Sequence, residues 1–151
     1  MQGCHAVDCR TERFTQLVDE FLDGAERVEL FHAVGRVPRL ARIAANDVDA
    51  FRAVIEDNLV TTYALLRTVA EAAVAHRVPG AMLVLGSVGG TRAHRYKAGY
   101  DAAKAVVHAV AVPATPVFDF ANGATHLFDG GLAQQLRSQA IERPPEDWGV
   151  R

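Results

Sequence analysis

The stretch "AMLVLGSVGGTRAHRYKAGYDAAKA", residues 81–105, decides the fold of this chain. It begins with an uninterrupted apolar run of strand length, a pattern typical of a parallel strand that is covered on both faces. A glycine-rich turn follows at 86–90, and the alanine-rich pattern from about Tyr100 to Val112 predicts a helix. A strand that leads through a turn into a helix is the repeating unit of α/β proteins.

The same stretch contains three side chains, Ser87, Tyr100 and Lys104, whose spacing suits proton transfer. On a helix, Tyr100 and Lys104 lie one turn apart on the same face. An ammonium group beside a phenol favours the phenolate, so Tyr100 can exchange a proton with a carbonyl or hydroxyl group. Ser87 ends the predicted strand, where open α/β sheets bind their ligands, and its hydroxyl can hold the substrate oxygen. Asn58 lies inside a predicted helix, where an amide suggests a role such as binding a water that relays protons to Lys104.

Strand and helix patterns alternate along the rest of the chain. The predicted strands are residues 4–8, 27–34, 81–87 and 124–128, and the main predicted helices are 46–76 and 100–112. Pro79 and Gly80 end the long helix before the apolar strand. This alternation predicts a parallel α/β sheet with right-handed crossovers.

Composition excludes several classes of protein. The chain has 151 residues, of which 50% are hydrophobic and 23% are charged, so it fits one globular domain. A net charge of -2 argues against a nucleic-acid binder. The sequence contains neither an apolar run long enough to span a bilayer nor a signal-peptide pattern, so we expect a soluble cytoplasmic protein without a membrane partner. Cys4 and Cys9 lack neighbours at metal-ligand spacing, so we expect no metal site.

These residues resemble the short-chain dehydrogenase/reductase family from about residue 6 to 111 and again from about 122 to 132. Ser87, Tyr100 and Lys104 match the family's catalytic serine and Tyr-x-x-x-Lys motif, and Asn58 matches the helical asparagine that completes its tetrad. The resemblance implies that Tyr100 is the acid/base, that Lys104 promotes its ionisation and that Ser87 orients the substrate. It also implies a small carbonyl or alcohol substrate and NAD(P) as the hydride carrier.

The resemblance also implies residues that bind the cofactor. Asp8 falls where an aspartate near the end of the family's third strand touches the adenine ring. Gly35 ends "FHAVG" (31–35), which falls where the family has Asn-Asn-Ala-Gly after its fourth strand. Together with Tyr100 and Lys104, these two residues form the implied cofactor-binding set.

The sequence departs from the family pattern in three ways. No Gly-x-x-x-Gly-x-Gly turn precedes Asp8, and such a turn brings a helix N-terminus to the cofactor pyrophosphate. The glycines of 86–90 occupy the catalytic strand end, so they are weak candidates for a phosphate loop. The interval between Lys104 and Asp129 is short for the family, and His32 replaces an asparagine of its glycine motif.

These departures predict a truncated, reduced Rossmann-like domain over residues 1–133. Its sheet is expected to have about four strands flanked by helices, in the order 4–8, 27–34, 81–87 and 124–128. The first of these strands is expected either to pair directly with the second or to stay an unpaired edge. Residues 134–151 are expected to form a tail that is partly helical and then loose. Exposed apolar surface on the helices 46–76 and 100–112 predicts a homodimer or higher oligomer, as the family commonly forms through these helices.

Three hypotheses for the function stay open. The first is an oxidoreductase of the short-chain type that uses the Ser-Tyr-Lys centre with NAD(P)H. The second is a non-redox enzyme, such as an isomerase, dehydratase or cyclase, that keeps the same centre for proton transfer. The third is an inactive fragment or a dimerisation module. The missing glycine-rich turn argues against dinucleotide binding and so favours the second and third. The match of Ser87, Tyr100, Lys104 and Asn58 to the family favours the first, which we adopt as the main expectation.

Overall fold

The computed structural model describes residues 5–110 as two parallel strands and a set of helices. The regular elements, in chain order, are α1 (Glu12–Leu22), β1 (Val28–His32), α2 (Val48–Ile55), a π-helical turn (Glu56–Val60), α3 (Thr61–His76), β2 (Gly80–Val84) and α4 (Ala98–Val110). Short 3₁₀ turns occur at Ile43–Ala45 and Val88–Gly90. Within 5–110, no helix has both the length and the apolar character needed to cross a membrane.

The sheet joins β1 and β2 in parallel, with Val28 opposite Gly80 and His32 opposite Val84. The chain between the two strands crosses over through α2 and α3, so the predicted α/β class is confirmed. The predicted number of about four strands is not confirmed, because residues 5–110 contain two. The predicted strand 124–128, the domain boundary at 133 and the tail 134–151 lie outside the described residues.

The prediction of a strand at 4–8, paired with β1 or unpaired at the edge, is wrong for residues 5–8, which form no strand. A cleft of about 350 Å³, lined by His5 and Val7 on one side and by Val28 and Leu30 on the other, separates this segment from β1. The segment ends in a turn, because the Asp8 carbonyl accepts from the backbone N–H of residue 11, 3.1 Å away. The cleft keeps the backbones of the two segments from forming ladder hydrogen bonds.

The two faces of the sheet are covered unequally. Successive side chains of a strand point to opposite faces, and here one face carries the buried His32 and the half-buried Val28 and Leu30. The opposite face carries Phe31 and Leu83, which sit opposite each other and are 63% and 58% exposed. The sequence predicted that the apolar strand is covered on both faces. Within residues 5–110, only one of its faces is covered.

The apolar core lies between α1, α3 and the covered face of the sheet. Its buried members are Leu22, Ala72, Ala73 and Val78, and Val18, Ala25 and Val28 pack against them. The predicted helix 46–76 is an unbroken helical run over 48–76, and the π-helical turn interrupts its α-helical hydrogen bonding. Asp47 caps this run, because its carboxylate accepts from the backbone N–H groups of residues 49 and 50.

Candidate active site

Lys104 and Tyr100 lie on the first turns of α4, as the helical spacing predicts. The Lys104 side chain is buried, with 4% of its surface exposed, and its Nζ lies 6.0 Å from the centroid of the Tyr100 ring. That Nζ donates to the backbone carbonyl of Leu85, 3.3 Å away, just beyond the end of β2. Burial lowers the pKa of the Lys104 ammonium, because a charge is disfavoured away from water.

Ser87 lies at the carboxyl end of β2, two residues beyond the carbonyl that Lys104 contacts. Its backbone is extended, and its Oγ accepts from the backbone N–H of Gly89 at 3.1 Å, which caps the turn Val88–Gly90. No described contact uses the hydroxyl hydrogen of Ser87, so the group can still donate to a substrate oxygen.

The glycines of the turn 86–90 are required by close packing against α4. A Cβ at Gly86 would collide with the His108 ring, and one at Gly90 would lie 2.7 Å from the backbone carbonyl oxygen of Lys104. A Cβ at Gly89 would collide with the Asp101 carboxylate. These glycines bring α4 against the end of β2, so the packing accounts for them without a phosphate.

Asn58 is fully buried in the π-helical turn. Its amide Nδ2 donates to the backbone carbonyls of Arg36 at 3.0 Å and Val54 at 2.9 Å, and its Oδ1 accepts from the Arg36 N–H at 3.0 Å. The amide thus clamps the loop after β1 to the long helix. A π turn of this kind shifts the helix register by one residue and often marks a functional position. The water relay from Asn58 to Lys104 stays a prediction.

Gly35 lies where Asn58 and Lys104 converge. A Cβ built at this position would be 3.0 Å from Asn58 Oδ1 and 3.2 Å from Lys104 Nζ. A larger residue would therefore separate the loop from both side chains. Of the residues predicted from the sequence, Asn58, Gly35 and Lys104 are brought into one cluster, with Tyr100 beside Lys104.

His32 joins this cluster from the end of β1. Its ring is 2% exposed, and its Nε2 shares a hydrogen bond of 2.9 Å with the Thr62 hydroxyl, which itself donates to the Asn58 carbonyl at 2.6 Å. Among residues 5–110, its Nδ1 has no hydrogen-bond partner. Burial and the nearby positive charge of Lys104 lower the pKa of His32, so the ring is held neutral.

Asp101 and His94 form a pair that sequence reasoning missed. Asp101 is 5% exposed, and its carboxylate accepts from the His94 backbone N–H and lies 3.1 Å from His94 Nδ1. The pair ties the loop before α4 to the residue next to Tyr100. The one signal in the sequence was an acidic residue in the first turn of an alanine- and valine-rich helix.

Asp8 lies away from this cluster, beside the start of α1. Both of its carboxylate oxygens bind the Arg10 guanidinium, at 2.9 and 2.7 Å, and hydrogen bonds from Arg10 lower the pKa of Asp8 to about 2. Arg10 in turn reaches Glu56 at 2.8 Å. Within 5–110, no group of three His, Cys, Asp or Glu side chains is arranged to hold a metal ion.

Comparisons with known proteins give one family and one fold. A family model described as enoyl-(acyl carrier protein) reductase matches residues 6–115. No curated protein sequence matches the chain significantly. Among solved structures, a 4-hydroxyisoleucine dehydrogenase complexed with NADH and succinate is 24% identical, with a TM-score of 0.60 over 72% of this chain and 50% of that one.

Two further structures have the same fold. A short-chain dehydrogenase/reductase from Burkholderia vietnamiensis is 25% identical, with a TM-score of 0.59 over 66% of this chain and 46% of that one. The F189W variant of an actinorhodin polyketide ketoreductase with NADPH is 24% identical, with a TM-score of 0.61 over 71% of this chain and 42% of that one. The predicted Rossmann-like architecture is confirmed, and the chain spans half or less of each of these proteins.

Proposed function

This chain belongs to the short-chain dehydrogenase/reductase family, and we propose from that premise that Ser87, Tyr100 and Lys104 form its acid/base centre. The centre transfers a proton to or from the oxygen of a small carbonyl or alcohol substrate. Tyr100 exchanges the proton, Lys104 favours its ionised form, and Ser87 donates a hydrogen bond to the same substrate oxygen. These family roles rest here on a match of residue types and spacing.

The observation that carries the proposal is the burial of Lys104 beside Tyr100. A lysine is rarely buried without a carboxylate partner, and the described contacts of this one are a carbonyl and the Tyr100 ring. The same burial lowers the pKa of Lys104, because it disfavours the charged ammonium. A lysine at such an unfavourable position is expected to have a function that offsets this cost. We propose that this function concerns the neighbouring Tyr100 ring, whose centroid lies 6.0 Å from Nζ.

Ser87 and Asn58 support the same assignment in different ways. The Ser87 oxygen accepts from the Gly89 N–H, which fixes its position and leaves its hydrogen free to donate. Asn58 holds the loop at Arg36 and so fixes Gly35 beside Lys104. We propose that Asn58 positions the lysine side of the centre, and that its relay of protons is a second, separate role.

The described residues fit one end of the NAD(P) that the family implies. Next to Lys104, Gly35 lets the backbone approach closely, and Nζ has hydrogens that no described contact uses. At the other end, Arg10 occupies both oxygens of Asp8, and the glycines of 86–90 pack against α4. NAD(P), when bound, supplies hydride, but residues 5–110 do not complete a site for it.

A second candidate function is supported by this same mismatch. An acid/base centre without a dinucleotide can still catalyse isomerisation, dehydration or cyclisation, because these reactions need only proton transfer. The Ser87, Tyr100 and Lys104 chemistry is the same in both candidates. They differ in whether turnover requires NAD(P)H.

Cofactor binding is tested by titrating the purified chain with NADH and NADPH in a calorimeter. We expect binding weaker than micromolar, because Arg10 occupies both oxygens of Asp8 and the glycines of 86–90 pack against α4. Micromolar binding of either nucleotide would contradict the incomplete site and favour the oxidoreductase over the non-redox candidate.

The acid/base centre is tested with small ketones such as cyclohexanone and ethyl acetoacetate. Two reactions are followed: NADPH oxidation, and exchange of the hydrogens next to the carbonyl with D₂O by NMR. We expect Tyr100→Phe to lower whichever rate is observed by at least about 100-fold. Tyr63→Phe is the control, because Tyr63 is exposed on α3. Equal losses in the two variants, or no reaction in either assay, would favour an inactive fragment or dimerisation module.

We also propose self-association through the two helices named from the sequence, 46–76 and 100–112. Phe51, Val60 and Tyr63 on the first and Val106 on the second are exposed, at 37% to 54%. Burying such apolar surface between copies is favourable. Sedimentation velocity over a range of concentrations tests this, and a concentration-independent monomer would contradict it.

A further inference from the structure

We propose that the cavity between the loop 36–47 and the start of α4 binds a small organic anion with an apolar body. The cavity has a volume of about 850 Å³, within the usual range for small-molecule sites. The loop forms one wall, residues 96–99 form the other, and α2 forms the floor. We call this space the arginine cavity. The inference goes beyond the proton-transfer proposal and does not depend on it.

The first supporting observation is a set of cations without partners. Arg39, Arg42 and Lys97 line the arginine cavity, and none of them has a described ion pair or side-chain hydrogen bond. Six other arginines of the described chain each pair with a carboxylate at 3.4 Å or closer, namely Arg10, Arg13, Arg27, Arg36, Arg52 and Arg67. Arg77 and Arg95 also make no described ion pair, but they do not line the cavity. The three cavity cations therefore face one open space, and none of them is paired with a described carboxylate.

The second observation concerns the one carboxylate that lines the cavity, Asp47. Its Oδ1 accepts from the backbone N–H groups of Asp49 and Ala50 at 2.6 and 3.1 Å, which caps the long helix. Asp47 is thus engaged by its own helix and makes no described ion pair with the cavity cations. Arg36 is held to Asp57 at 2.9 Å, so the unpaired positive charge belongs to Arg39, Arg42 and Lys97.

The third observation is the apolar floor. Ala50, Ala53 and Val54 line it from α2, and Gly99 packs so closely on α2 that an added Cβ would lie 3.1 Å from the Phe51 ring. The two walls are tied together by a hydrogen bond of 3.2 Å from the Ala41 N–H to the carbonyl of residue 96. Cations at the rim above an apolar floor suit a ligand with a carboxylate or phosphate on a hydrocarbon or aromatic body.

The test uses phenyl phosphate, benzoate and benzyl alcohol, which share an aromatic body and differ in charge. Binding to the full chain is measured by ligand-observed NMR and calorimetry at low ionic strength. We expect saturable binding of one or both anions, and much weaker binding of the neutral alcohol. The stronger of the two anions identifies the ligand as a phosphate or a carboxylate. Absence of saturable binding by both anions, or equal binding of benzyl alcohol, would overturn the proposal.

Paired variants locate the site. Arg39→Gln with Arg42→Gln is expected to weaken anion binding at least about tenfold, because each arginine donates charged hydrogen bonds. Arg13→Gln with Arg67→Gln removes the same charge from exposed pairs on α1 and α3 and is expected to change the Kd less than about twofold. An equal loss of affinity in the two double variants would mean that net charge alone attracts the anion. That result would contradict binding at the arginine cavity.

A second pair tests the floor without touching the cations. Ala53→Leu fills the cavity from α2, and Ala75→Leu adds the same bulk to an exposed position of α3. We expect the first to weaken binding of the aromatic anion at least about tenfold and the second to leave it unchanged. Both variants keep good helix formers, so far-UV circular dichroism should match the parent chain. Unchanged binding to Ala53→Leu would overturn the assignment to this cavity.

Discussion

The two faces of the β1–β2 sheet carry opposite chemistry. Buried polar side chains lie on the covered side of the sheet, namely His32, Asn58 and Lys104. The apolar side chains of Phe31 and Leu83 are exposed on the opposite face. The comparison shows that burial here follows specific hydrogen bonds as much as hydrophobicity. A buried polar group is tolerated when its partners are supplied, and an unmade bond there is costly. Changes on the covered face should therefore cost more than changes on the exposed one.

The largest effect is expected from Asn58→Leu. The change removes three hydrogen bonds from a fully buried amide and leaves the backbone of Arg36 and the Val54 carbonyl without these partners. We expect the free energy of unfolding to fall by about 3 kcal/mol in urea denaturation. Asn46→Ala, in the loop before α2, is the control and should cost less than about 0.5 kcal/mol. Similar costs for the two would mean that the clamp at Arg36 is not stabilising.

A smaller loss is expected from Gly90→Ala. The added Cβ would lie 2.7 Å from the backbone carbonyl of Lys104, which cannot move without shifting α4. We expect a loss of about 2 kcal/mol, measured by thermal and urea unfolding. Gly24→Ala separates packing from backbone strain, because Gly24 has φ = 71° with nothing within 4 Å of an added Cβ. That control should lose about 1 kcal/mol from its conformation alone. A Gly90→Ala cost no larger than the control's would contradict tight packing of the turn on α4.

A pH-dependent effect is expected from His32. Burial and Lys104 lower its pKa in the folded chain below the ordinary 6.5, so below that pH the unfolded chain binds the proton more readily. Stability should therefore fall as the pH drops below about 6.5, by at most about 1.4 kcal/mol per pH unit for this one proton. Urea unfolding between pH 7 and 5 measures it. His32→Leu should flatten the slope relative to the parent chain. An unchanged slope in this variant would assign the acid loss to other groups.

Much of this fold follows from local sequence patterns, and the misses have physical causes. Apolar periodicity predicted β1, β2 and the long helix, because burial of one side is the dominant local signal. It did not predict the π turn at Asn58, since inserting one residue per turn barely alters a pattern averaged over a long helix. The strand at 4–8 was wrong because pairing depends on which segments meet across a cleft, and that is not a local property.

In the candidate site, too, local sequence patterns predicted some residues, and others depend on three-dimensional contacts. Residue types and spacing named Ser87, Tyr100, Lys104 and Asn58, and the structure gathers Lys104, Asn58 and Gly35 around one point. The sequence could not identify the Asp101–His94 pair, because a buried carboxylate and an exposed one look alike in a helix. The arginine cavity was missed for a similar reason. Arg39, Arg42 and Lys97 are distinguished by lining one cavity without described carboxylate partners, and only three-dimensional neighbours show that.

The smallest effect on stability is expected from Leu83→Glu on the exposed face. Leu83 is 58% exposed opposite Phe31, so a charge there stays in water and the free energy of unfolding should change by less than about 0.5 kcal/mol. Met82→Glu is the matched change on the covered face of the same strand, and it should cost about 2 kcal/mol, because it places a carboxylate where Met82 is half-buried. If Leu83→Glu costs as much as Met82→Glu, the exposed face is covered in solution. Sedimentation velocity of both chains then shows whether a second copy does the covering, since Leu83→Glu would convert an oligomer to monomer.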